Sequence, residues 1–343
     1  MTQIDVLRGV AAVMVVVAHS SEYFTARALG YGHGASFDNL VRAFDFGRIG
    51  VILFFMVSGF VVANTLKASG TMIRHFLARR FFRLYPLYWF SIVLAYFFWT
   101  SPQPDIALIV VNMTMFPSLW NAKPMLGLYW TLEVELVFYL LAVLLALRGS
   151  LTKPTVLVGV MAILLIAFAA IMFGMLPSPT TLEWKSFPYN VMYMLFGVLW
   201  FNMSIQGGNE SLWGRVLFVT ALLMLMAAPM FSLGRFVISH RADDLRLGLT
   251  YPLAVAMFWA VFHSNALWFR WIAKLGVISY SMYLMHLFVL TFVGRYLTPE
   301  VVPKAWLTLP TLVMVCLGLT MLFSTLTYNL VERPWISYAK RFK

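Results

Sequence analysis

The sequence carries a single cysteine, Cys316, in 343 residues. A lone thiol excludes an internal disulfide, a CxxC metal site and any paired-thiol redox role. Charge is scarce as well. Asp, Glu, Lys and Arg make up 11% of the chain, against roughly 25% in soluble domains. The few charges fall mostly between long apolar stretches, and no soluble domain of ordinary size follows any of them. What is abundant is apolar surface, at 62% of residues, so the chain reads as an integral membrane protein, with residues 1–343 forming one transmembrane unit. A net charge of +12 would raise nucleic-acid binding in a soluble protein. Here Lys and Arg largely sit at the ends of apolar segments, which is the membrane pattern. The expected partner is the lipid bilayer, and no nucleic acid is expected.

A spanning helix needs about 20 apolar residues. Spans are predicted near 4–24, 48–66, 83–100, 128–147, 155–175, 187–203, 212–229, 248–264, 275–294 and 307–331. The fold class is therefore all-α, a polytopic transmembrane helix bundle of about ten spanning helices. The stretch 106–117 is apolar but short, and Pro102, Pro104 and Pro117 bracket it; it is expected to be re-entrant or interfacial. The first helix is expected to be retained as a span and not cleaved as a signal peptide. Ten spans put both termini on one side. The basic cluster at 74–83 has no acidic neighbour, and it assigns that side to the cytoplasm of a bacterial inner membrane. The oligomeric state is left open.

Titratable groups inside a span are costly, so each is a candidate functional residue. Arg8 and His19 are 11 residues apart in the first apolar stretch. At about 100° per residue they return to one helix face, separated by about 16 Å. Asp5 stands one turn before Arg8 and can neutralise it. Two readings of His19 are open, a hydrogen bond to a neighbouring helix or a chemical role. Glu133 and Glu135 open the span 128–147 but cannot share a face, so at most one is expected to point into the bundle. Tyr139, one turn beyond Glu135, is a candidate hydrogen-bond partner. Solvated headgroup charges are the alternative for both. Ser279, Tyr283 and His286 recur at i, i+4 and i+7, forming a polar stripe; a structurally satisfied histidine is again the alternative. Arg79 and Arg83 share a face with Arg80 beside them. Such a group suits a phosphate, but it is also what a topology determinant or an anionic-lipid contact looks like, and spacing alone favours the lipid.

Taken in order, five stretches resemble the acyltransferase-3 superfamily of bacterial membrane O-acyltransferases, over essentially the whole chain. They are Asp5-x2-Arg8-x10-His19, Phe54-Phe55-Met56-Val57-Ser58-Gly59-Phe60, Arg79-x3-Arg83-Leu84-Tyr85-Pro86, Trp130-Thr131-Leu132-x2-Glu135-x2-Phe138-Tyr139, and Ser279-Tyr280-Ser281-Met282-Tyr283-Leu284-x-His286. A closing Tyr328-x2-Val331-Glu332-Arg333-Pro334 also fits. Thr131 stands where the family usually has Ser, which keeps a hydroxyl. Some members carry a C-terminal esterase-like domain; none is expected here, since the chain ends at Lys343 soon after its last span.

The resemblance implies transfer of an acyl group, usually acetyl, from cytoplasmic acyl-CoA to a hydroxyl of an extracytoplasmic glycan such as an exopolysaccharide, an O-antigen or a lipid-linked sugar. It implies a catalytic role for His19, with Glu135 and His286 completing the candidate catalytic set. Arg8 and the Arg79/Arg83 pair, with Arg80 and Tyr85 of the same stretch, are the candidate donor-binding residues. Acetyl-CoA is the expected donor, and no metal is expected. The chemistry agrees: a sugar hydroxyl needs a base near the point of attack, and the phosphates of CoA need cations. The competing class is a proton-coupled transporter or non-catalytic carrier, because intramembrane His, Glu and Arg also build proton relays.

Overall fold

A computed structural model describes residues 2–26, 35–66, 70–98, 104–176, 185–205, 211–264, 270–297, 301 and 307–341. Among them the backbone is helical and forms no strand. Helix α1 is Thr2–Ala26, α2 Ala35–Ala43, α3 Phe46–Thr65 and α4 Gly70–Phe98. The short α5, Ile106–Met113, is followed by the one-turn segments Pro117–Trp120 and Gly127–Tyr129. Then come α6 Trp130–Leu147, α7 Pro154–Met172, α8 Phe187–Ile205, α9 Leu212–Ser239 and α10 Ala242–His263. The chain closes with α11 Arg270–Val277, α12 Ser279–Tyr296, α13 Leu309–Thr327, a π-turn at Tyr328–Glu332 and α14 Arg333–Ala339.

Eight helical segments among the described residues are long and apolar enough to cross a bilayer, and the bent pair α11–α12 makes a ninth. The outer faces of α7 and α9 present Ile163, Ile166, Leu223 and Met230. Exposed aliphatic surface of this kind suits lipid. The remaining expected span, 187–203, is α8. Every residue from Pro188 to Met203 is buried, so this helix meets protein on all sides. It therefore carries Tyr189, Asn190, Tyr193 and Asn202 without exposing them to lipid, and Asn202 donates to the Leu151 carbonyl at 3.0 Å.

Close backbone crossings fix the bundle. A Cβ on Gly59 would lie 1.8 Å from the Met194 carbonyl oxygen, and one on Gly197 would lie 2.1 Å from that of Met56. Only glycine lets α3 and α8 approach this closely. Helix α11 lies across the start of α1 in the same manner, since a Cβ on Gly276 would stand 1.9 Å from the Asp5 carbonyl oxygen. Cys316 in α13 is fully buried.

Three expectations change. The span predicted at 83–100 begins much earlier, so the basic cluster is part of helix α4 and not of a loop. The span predicted at 275–294 is broken, with α11 and α12 meeting at 75°. The stretch 230–247, left between the predicted spans 212–229 and 248–264, is mostly helix, because the apolar run after Pro229 continues α9 to Ser239 before a left-handed turn at His240. The expectation that 106–117 is re-entrant or interfacial and not a full span agrees with α5, whose eight residues rise only about 12 Å. Three side chains of α4 satisfy its last carbonyls. Tyr85 donates to Thr114 O at 3.0 Å, Tyr88 to Asn112 O at 2.8 Å and Trp89 to Met113 O at 2.9 Å. Irregular backbone at membrane depth requires such partners.

Candidate active site

Among the described residues, the candidate side chains gather in two polar centres inside the bundle. The first is a histidine pair. His19 of α1 and His286 of α12 are separated by 267 positions in sequence, yet His19 Nδ1 lies 2.8 Å from His286 Nε2. His286 is fully buried. Its Nδ1 lies 2.7 Å from the Tyr283 carbonyl oxygen and 3.2 Å from that of Met282. A carbonyl can only accept, so His286 Nδ1 carries the hydrogen. In the neutral ring Nε2 is then the acceptor, and His19 Nδ1 must donate to it. The same logic leaves His19 Nε2 with an unshared pair.

The second centre is a cleft walled by α1, α3, α4, α6 and α12. Arg8, Arg80 and Arg83 supply three guanidinium groups, and Glu135 is its one carboxylate. Glu135 accepts a hydrogen bond from Ser58 at 2.8 Å and another from Tyr139. Arg80 is held by aromatic faces, 5.0 Å from the Tyr139 ring centroid and 5.2 Å from that of Phe76. Arg8 keeps Asp5 at 3.9 Å. The break at Ile278 starts α12 at Ser279, which lines the cleft with Tyr280. The first N–H groups of a helix are unpaired and favour negative charge, so this end adds to the cationic lining.

Tyr283 joins the two centres. It lines the cleft, bonds Thr131 at 2.8 Å, and holds its ring centroid 6.1 Å from that of His286. The stripe of Ser279, Tyr283 and His286 thus runs from the cleft wall to the histidine pair. Thr131 fills the expected place of a serine and keeps its hydroxyl engaged.

The expected residues divide accordingly. His19 and His286 come together, and Arg8, Arg80, Arg83 and Glu135 come together. Glu135 is bonded to Ser58 and Tyr139 and not to either histidine. Glu133 is also buried, but it accepts from the Ser118 hydroxyl at 2.6 Å and so pins the Pro117–Trp120 turn. Arg79 is exposed and does not line the cleft. Tyr85 is turned to Thr114. Ser58, Tyr280 and Tyr283 enter the site without having been singled out as donor-binding or catalytic. Ser58 and Tyr280 lie within quoted motifs, and the polar spacing of α12 had already put Tyr283 on the stripe with His286.

Fold and site together define a multi-pass membrane protein with a guanidinium-lined cleft and, across Tyr283 from it, an imidazole pair of which His286 is fully buried. Among known families, the acyltransferase-3 model, described as an acyltransferase domain, matches residues 1–329. The chain belongs to this family and is a membrane acyltransferase. It is 26% identical over 373 aligned positions to a Komagataeibacter xylinus protein named "Putative membrane-bound transacylase BcsY", covering 98% of this chain and 83% of that one. No solved structure matches the chain.

Proposed function

We propose that this protein is an O-acyltransferase moving an acyl group, acetyl in the first instance, from cytoplasmic acyl-CoA to a hydroxyl of an extracytoplasmic glycan. The observation that carries this reading is the order of hydrogen bonds in the histidine pair. It makes His19 Nε2 an acceptor for an incoming O–H. His286 orients the ring and stabilises the cation that forms when the proton arrives.

The reaction follows from that geometry. The acceptor hydroxyl gives its proton to His19 Nε2 as its oxygen bonds to the thioester carbonyl carbon. The tetrahedral intermediate collapses, the C–S bond breaks with its electron pair on sulfur, and the CoA thiolate takes the proton from His19. Arg8, Arg80 and Arg83 receive the phosphates of the donor, and the pantetheine arm extends past Tyr283 towards the pair. The name of the relative, a transacylase, accords with acyl transfer. A carrier fits less well: the chain of N–H groups ends on backbone carbonyls of α12, which cannot pass a proton on.

Purified protein in lipid nanodiscs, given radiolabelled acetyl-CoA and a lipid-linked glycan, tests the reading. Transfer of label is expected with the wild-type chain and is expected to vanish in His19→Ala. Full transfer by a folded His19→Ala protein would overturn it.

A further inference from the structure

The closing motif, Tyr328-x2-Val331-Glu332-Arg333-Pro334, takes no part in the reaction derived above, yet it holds a buried carboxylate. Glu332 is 1% exposed inside the helical run Leu309–Ala339, where an uncompensated carboxylate is costly. The π-turn Tyr328–Glu332 accounts for its position. Arg333 N–H donates to Tyr328 O, five residues back, and the wider turn directs Glu332 inward while Arg333 is exposed. Such turns recur at functional sites. Among the described residues the Glu332 carboxylate accepts one hydrogen bond, from the Ser281 hydroxyl at 2.7 Å, and makes no ion pair. Ser281 is fully buried in the first turn of α12, directly after Ser279 and Tyr280, which line the cleft. Tyr280 in turn donates to the Leu84 carbonyl of α4 at 2.8 Å, one residue past Arg83. Beyond the π-turn, Trp335 of α14 stacks on Phe82 of α4 with ring centroids 5.8 Å apart, and Tyr338 meets the same ring edge-on at 5.2 Å. The C-terminal segment thus touches both α12 and α4, two walls of the cleft. No side-chain cap fixes the break at Ile278, so the start of α12 depends on contacts of this kind.

We propose that Glu332 is a positioning residue for the donor cleft. It acts through Ser281, fixing the first turn of α12 so that Ser279 and Tyr280 stay in the cleft wall with Arg80 and Arg83. A hydroxyl gives a carboxylate a strong, directional hydrogen bond, whereas apolar packing alone leaves the register of a broken helix open. Loss of the contact loosens the α12 wall and weakens the hold on an anion, while the guanidinium groups themselves are untouched. CoA is named as that anion on the strength of the acyltransferase reading.

Three variants separate positioning from stability. Glu332→Gln keeps an acceptor for Ser281. Glu332→Met with Ser281→Ala removes both partners at once, and exchanging a buried bonded pair for apolar groups can be nearly neutral for stability. Ser281→Cys is close in size and a poor donor. The nanodisc proteins are compared by thermal midpoint, by hydrogen exchange across residues 279–286 and by calorimetric titration with CoA. The double variant is expected to keep its midpoint, to exchange at least fivefold faster and to bind CoA at least fivefold more weakly. Glu332→Gln is expected to stay within twofold of wild type in both. Ser281→Cys is expected to move both in the direction of the double variant, and it decides where the double variant does not fold. Wild-type exchange or wild-type CoA affinity in the folded double variant would overturn the positioning role, as would a Glu332→Gln protein equally impaired. Faster exchange in a chain whose wild type binds no CoA would sustain the hold of Glu332 on α12 and count against the donor reading alone.

Discussion

Two residues of the histidine pair have different duties, and substitution separates them. His19→Ala removes the base and is expected to lower kcat by about 10²–10⁴-fold, the usual range for a positioned acid or base. His286→Phe removes the acceptor for His19 Nδ1–H, together with the N–H that His286 gives to carbonyls of its own helix. Its kcat is expected to fall, with the KM for acetyl-CoA unchanged and the pH profile displaced, since the His19 ring loses its orientation and its partner. A pH profile identical to wild type would reduce His286 to packing. In the cleft, Arg80→Ala with Arg83→Ala is expected to weaken CoA binding at least tenfold in a calorimetric titration. Hydrogen bonds to charged groups contribute about 1.5–3 kcal/mol each. Arg79→Ala is expected to change it less than threefold. The sequence grouped Arg79 with Arg83 because helical phase tells which residues share a face. Phase does not tell which face meets a neighbour. Tyr139 and Phe76 answer that question by drawing Arg80 inward, and neither contact is visible in a linear spacing. Arg8 and His19 were legible because both lie on one uninterrupted helix.

At the scale of elements, apolar runs located the spans well and their ends poorly. Helix α4 extends to Gly70 because the basic cluster is itself a good helical sequence, so hydropathy stops short of the true start. The break at Ile278 left no proline to announce it, although Gly276 marks where α11 crosses α1. The short α5 was betrayed by its length and its prolines. Its carbonyl partners on α4 were not, because tyrosine and tryptophan in an apolar helix look like packing residues. Tyr88→Phe removes one buried hydrogen bond to the Asn112 carbonyl, which keeps the Met115 N–H at 2.9 Å. Losing one hydrogen bond of this kind costs about 0.5–1.5 kcal/mol, and it is expected to lower the midpoint of thermal unfolding in detergent by a few degrees at most. Gly59→Val is a harsher change, since its side chain meets the Met194 carbonyl. Loss of the monodisperse folded peak in gel filtration is the expected result.

For the whole molecule, the two polar centres lie at different depths of one bundle, and Tyr283 is the wall between them. The proposed donor cleft belongs to the end of α1 that carries Arg8, and the acceptor of the proposed reaction comes from the end beyond His19. The sequence conveyed this polarity through the order of residues along α1. It could not convey that α12 supplies the second imidazole at matching height, because that depends on the crossing of α11 over α1. Sidedness then follows as a measurable property of the whole chain. The loop before α7, with Lys153 exposed, and the turn before α10, with Arg241 exposed, lie at opposite ends of the bundle.

The burial of Cys316 turns that property into a simple assay. A fully enclosed thiol does not react with a bulky maleimide, so the native chain is already silent to labelling without removal of its own cysteine. Each introduced cysteine becomes the sole reporter of its position. In intact cells an impermeant maleimide is expected to mark Arg241→Cys and to reach Lys153→Cys only after permeabilisation. The opposite pattern would turn the bundle over and move the arginine cleft away from the cytoplasmic CoA pool.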